Sequence, residues 1–166
     1  MTVVGFDTST SATSACVLRA DGETFEVAPD PGRLLEPPGH SRELLPALVA
    51  AMANAGVSWQ DVEAIAVGAG PGTFTGLRIG MATARALAHA SELELRPVSS
   101  LAALAAGIGA PLRLPVLDAR RGEVFSALYD GGTARTRAAS VQTCSARTTW
   151  PGDSRGATVT PAASRT

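Results

Sequence analysis

The chain has 166 residues, enough for one medium domain or two small lobes with a real core. Its formal net charge of -1, without a single lysine, excludes a global basic field that would draw in nucleic acid, so any RNA contact is local or supplied by a partner. Cys16 and Cys144 are far apart, with no C-x-x-C and no Cys/His cluster, which speaks against a disulfide framework and a zinc site. With no leader pattern and no apolar run of membrane-spanning length, the chain reads as cytoplasmic.

Residues 2–6 read as a buried strand ending at Asp7, followed by the polar turn 8–14 and a second strand over 15–19. Asp21-Gly22 turns the chain into a third strand at 24–27, completing a meander. The Pro/Gly-rich stretch 29–39 is a loop. Ser41 then caps a helix that carries Leu44, Leu45, Leu48, Val49 and Met52 on one face. A short apolar strand at 64–67 runs into the string Gly68-Ala69-Gly70-Pro71-Gly72-Thr73-Phe74-Thr75-Gly76-Leu77-Arg78-Ile79-Gly80. Glycines 68, 70, 72 and 76 permit positive φ and close backbone approach, and Thr73 or Thr75 caps the helix that continues to about residue 90. Within it Gly80, Ala84 and Ala88 recur at four-residue intervals, a row small enough for a second helix to come close. A strand at 95–98, a Ser99-capped helix to 106, and strands at 114–117 and 123–129 follow. Three strands and then alternating helices and strands predict an α/β fold, a mixed sheet with packed helices in the manner of a ribonuclease-H-like or actin-like lobe.

Residues 1–132 accordingly hold an N-terminal lobe and the start of a second, incomplete lobe. Residues 133–166 differ in kind. They contain no Leu, Ile, Phe or Met, and 12 of the 34 are Ser or Thr, so they cannot build a core. Nine arginines against 14 acids give residues 1–132 a net charge of -5, whereas five arginines against Asp153 give the tail +4. The tail is expected to be disordered, or the product of an altered reading frame.

The Gly-rich string is not a P-loop, because no Gly-x4-Gly-Lys-Ser/Thr exists, and its spacing is not the Gly-x-Gly-x-x-Gly of a Rossmann fold. Free N–H groups at the start of its helix suit an anion or a partner's carboxylate. His40 is expected to be a surface or capping-region imidazole, and His89 to offset a helix dipole near a C-terminus. Asp118, Arg120, Arg121 and Glu123 form a charged turn read as solvated surface pairing.

Asp7-Thr8-Ser9-Thr10, His40-Ser41, the string 68–80, Val98-Ser99-Ser100-Leu101 and Leu117-Asp118-Ala119-Arg120-Arg121-Gly122-Glu123-Val124, in this order, resemble the TsaB (YeaZ) family over about residues 2–130. That resemblance implies an actin/Hsp70-like fold and a non-catalytic subunit of the machinery that makes threonylcarbamoyladenosine at tRNA position 37. It further implies a catalytic TsaD partner, a TsaE ATPase, and tRNA contact only through the complex. ATP and metal would be used by that complex, with no cofactor in this chain alone. The resemblance extends to TsaD, whose catalytic members carry a His-x-x-x-His metal pair. Here His40 and His89 are the only histidines and neither has another within four residues, so no catalytic and no metal-binding residue is assigned.

In actin-like ATPases a carboxylate and turn at such a strand end hold phosphate and magnesium. This makes Asp7, Thr8, Ser9, Thr10, Gly70, Gly72, Thr73 and Thr75 the nucleotide or anion candidates, although Asx and ST turns read the same way. Leu45, Leu48, Met52, Gly80, Ala84 and Ala88 are the candidate partner surface, for TsaD or for a homodimer through the same helices. The rival from another class is an actin-like small-molecule kinase or ATPase that uses Asp7 and the Gly-rich loop.

Overall fold

The computed structural model describes residues 1–120 and 123–130, together with the backbone of 137–145. Two compact units divide between Ser100 and Leu101, within the span 1–132 expected to hold the first lobe and the start of the second.

The first unit is built on a five-stranded sheet in the order β3-β2-β1-β4-β5. Strands β1 (Val3–Asp7), β2 (Ser14–Leu18) and β3 (Thr24–Val27) form the antiparallel meander, while β4 (Ala64–Gly68) and β5 (Glu94–Val98) join β1 in parallel. The period of two in the sequence sets which face is buried: Val4 and Phe6, Ala15 and Val17, and Ile65 and Val67 all point into one core. Helix α1 (His40–Ala55) packs on β2 and β3, and α2 (Phe74–Ala90) packs on β4. Helix α1 contributes Leu44, Leu48, Ala51, Met52 and Ala55 to that core, and α2 contributes Ala84 and Ala88.

Three expectations about the helices change. Helix α1 starts two residues early, with Gly39 rather than Ser41 at its cap and no side chain bonded there. Its apolar residues do not share one face, because Leu45 and Val49 are 56% and 64% exposed while Leu44 and Leu48 are buried. A helix turns 100° per residue, so neighbours such as Leu44 and Leu45 diverge, and the i, i+3, i+4 stripe of Leu44, Leu48, Ala51, Met52 and Ala55 stays on the core. The row of small residues on α2 also faces inward: Gly80, Ala84 and Ala88 are buried against the unit's own core, leaving no room there for a second helix.

The second unit has its own core of Leu101, Ala105, Leu117, Ala127 and Tyr129. Helix α3 (Ser100–Ala106) leads to β6 (Leu112–Arg113), β7 (Val116–Arg120), β8 (Glu123–Asp130) and β9 (Arg137–Ser145). The strand expected at 114–117 starts only at Val116 and continues to Arg120 as β7, with the two-residue β6 set apart from it by Leu114 and Pro115, the latter without an N–H for the ladder. Both pair antiparallel with β8.

The expectation for the tail is corrected in part. The backbone of 137–145 forms β9 and pairs antiparallel with β8 from Glu123↔Ser145 to Asp130↔Arg137. An apolar core is not needed to form a ladder when a neighbouring strand presents unpaired N–H and C=O groups. The rest of the tail lies outside the described residues.

Candidate functional site

The register between β1 and β4 places Asp7 beside Gly68 at the carboxyl ends of two parallel strands. In open α/β sheets such ends form the crevice where ligands bind. There the β1–β2 turn meets the Gly-rich loop, and the question is what the two present to solvent.

They are fastened to each other. The Asp7 carboxylate accepts from the Ser9 N–H through Oδ1 and from the Ser100 hydroxyl through Oδ2, the latter at 2.6 Å. Thr8, 1% exposed, donates its hydroxyl to the Gly76 carbonyl at 2.8 Å. The Thr73 N–H, at the cap of α2, donates to the Ser9 carbonyl at 2.7 Å. The Ser100 N–H donates to the Gly70 carbonyl at 2.9 Å. Ser9 and Ser11 are buried, and the Thr10 hydroxyl is engaged locally with Ala12.

This fastening explains the glycines better than positive φ does. Only Gly70, at φ 95°, is left-handed among the four proposed for that freedom. Gly68, Gly72, Gly76 and Gly80, at every fourth position, are needed because the turn leaves no room for a Cβ. Such an atom would overlap the Asp7 carboxylate at Gly68, Ser9 at Gly72, the Thr8 carbonyl oxygen at Gly76 and the Thr8 hydroxyl at Gly80. The last two are one helical turn apart on the α2 face that continues as Ala84 and Ala88, so side-chain size rises along the row as α2 leaves the turn.

The anion candidates are thus brought together, but they satisfy one another. Each Asp7 oxygen already accepts a hydrogen bond, the Thr73 N–H is used, and Thr75 is exposed on the first turn of α2. Neither Thr73 nor Thr75 caps by side chain, and the buried Thr73 Oγ1 has no partner among the described residues. A magnesium-bound phosphate would have to compete with these bonds for the Asp7 oxygens and the Thr73 N–H.

His40 is not at the surface. It is 3% exposed, with Nδ1 2.8 Å from the Thr13 hydroxyl, and its buried Nε2 has no partner among the described residues. Thr13 also donates to Glu43 at 3.2 Å, and Arg33 pairs with both Glu43 and Glu36. The far end of the β1–β2 turn is therefore pinned to α1, a role the sequence signalled only by placing His40 where the loop ends. His89 is exposed in the last turn of α2, where a cation suits the dipole. Asp118 accepts from the Arg120 N–H at 2.7 Å, and both side chains are more than half exposed, whereas Arg121 lies outside the described residues. Ser99 stands directly before α3, at the cap position expected of it, and it is Ser100 that bonds across to Asp7.

A mixed sheet bearing α1 and α2, with a turn and a glycine loop at its carboxyl edge, defines an actin-like lobe. A family model described as "TsaD: tRNA N6-adenosine threonylcarbamoyltransferase" matches residues 37–152. The chain is 37% identical over 136 residues to the tRNA threonylcarbamoyladenosine biosynthesis protein TsaB of Escherichia coli K12, covering 78% of this chain and 55% of that protein. It is 39% identical over 136 residues to an uncharacterized protein of Mycobacterium tuberculosis H37Rv, covering 79% and 60%. YeaZ from Pseudomonas aeruginosa superposes with a TM-score of 0.75 at 33% identity, over 92% of this chain and 71% of that one. The chain belongs to the TsaB/YeaZ family, and it spans little more than half the length of these two curated relatives.

Proposed function

We propose that this chain is a binding subunit in the biosynthesis of tRNA threonylcarbamoyladenosine, docking a TsaD-like catalytic subunit and working with a TsaE-like ATPase. In this reading tRNA, ATP and metal are handled by the assembled complex, and this chain supplies a shaped surface rather than a reacting group. Its family membership supports the pathway. The observation that carries the docking role is the apolar outer side of the two helices: Leu45 and Val49 on α1, and Phe74 and Met81 on α2, with Phe74 74% exposed. Leu45 and Val49 lie one turn apart on α1 and Phe74 and Met81 two turns apart on α2, and large apolar side chains left exposed along a helix favour a protein contact. The proposed surface is therefore the outward face of these helices, of which only Leu45 belongs to the set expected from sequence. Leu48, Met52, Gly80, Ala84 and Ala88 serve the unit's own core. A homodimer through the same face would compete with TsaD. The ATPase reading is disfavoured by the hydrogen-bonded state of Asp7.

Calorimetric titration with the TsaD-like subunit of the same organism tests the proposal. Wild type is expected to bind, and Val49→Arg to bind about ten-fold or more weakly with an unchanged circular dichroism spectrum, because the new charge would lose its hydration in the contact. Equal affinity of the two proteins would exclude this face, and no binding by wild type would overturn the docking role.

A further inference from the structure

Ser100 and Leu101 are consecutive residues that belong to different units. Ser100, 3% exposed, is held in the first unit by its N–H on the Gly70 carbonyl at 2.9 Å and its hydroxyl on Asp7 at 2.6 Å. Leu101, fully buried, lies in the second core. Close by, the Ala69 N–H donates to the Val98 carbonyl at 2.8 Å and the Thr73 N–H to the Ser9 carbonyl at 2.7 Å. The end of β5, the Gly-rich loop, the β1–β2 turn and the first residue of α3 therefore meet around one carboxylate.

We infer that the Asp7–Ser100 pair is a latch that fastens the Gly-rich loop and the start of α3 to the β1–β2 turn, at the point where the chain leaves the first unit. A hydroxyl-to-carboxylate bond is charge-assisted, and it is stronger than the neutral backbone bonds beside it. Neither side chain belongs to the apolar cluster of Val4, Phe6, Ile65 and Val67. Losing the pair therefore opens this segment locally while the sheet stays closed, as expected where a region is held by few polar contacts. The latch gives Asp7 a mechanical role that is independent of any partner.

Amide hydrogen exchange by NMR on the full chain tests it. In Ser100→Ala, the amide protons of residues 69, 73 and 100 are expected to exchange about ten-fold or more faster than in wild type, the effect of losing one bond to a charged group. Those of β1 and β4 should be unchanged. Asp7→Ala should accelerate the same set, and the double variant should exchange no faster than Asp7→Ala alone. Wild-type exchange in Ser100→Ala, equal acceleration throughout β1 and β4, or multiplied effects in the double variant would each overturn the latch. Should Asp7→Ala fail to fold, Ser100→Ala decides the question by itself.

Discussion

Alanine in place of Gly76 is expected to destabilise the first unit by about 3 kcal/mol, near the top of the range for overpacking, because the obstacle is backbone. The added Cβ would overlap the Thr8 carbonyl oxygen, and Thr8 is itself buried with its hydroxyl on the Gly76 carbonyl. Turn and helix would have to separate, breaking the Thr8–Gly76 and Thr73–Ser9 bonds together. Gly109→Ala is the control, since no atom of the described residues lies within 4 Å of its added Cβ. Urea unfolding followed by circular dichroism should show a large fall in midpoint for Gly76→Ala and little change for Gly109→Ala. Equal midpoints for Gly76→Ala and wild type would mean that turn and loop are not packed as described.

Ala84→Arg is expected to unfold the first unit rather than merely to block a partner. Ala84 is fully buried, with Gly80 and Ala88 before and after it on the same row of α2. A guanidinium placed there has no counter-ion in the apolar cluster, and an unpaired buried charge costs about 3 to 5 kcal/mol, a large share of a small domain's stability. The expected result is loss of the cooperative transition or an aggregated product. A soluble Ala84→Arg variant with a wild-type midpoint would place this row at the surface after all.

The meander, β4, both long helices and the actin-like order were legible because period two and period 3.6 survive in short apolar segments. Which residues of α1 face the core was less so: Leu44 and Leu45, or Leu48 and Val49, look alike in sequence, and only packing on β2 and β3 separates them. The glycines were legible as a site of close approach, but not what approaches. The Gly-x3-Gly spacing of 68, 72, 76 and 80 encodes contact with a turn some 60 residues earlier, and no local rule reports a long-range neighbour. His40 and Ser100 were missed for the same reason, since their partners Thr13 and Asp7 are distant in sequence. Composition misjudged 137–145 because a strand at an open edge draws its stability from backbone pairing, to which Ser and Thr are no obstacle.

The β1–β2 turn and the Gly-rich loop bind each other, and the function proposed above is that this chain docks a partner rather than holds a nucleotide. Titration of the isolated chain with magnesium and ATP in a calorimeter separates the two. No saturable heat and no phosphate release are expected across the millimolar range. Stoichiometric, magnesium-dependent binding at micromolar concentration that Asp7→Ala abolishes would contradict that expectation.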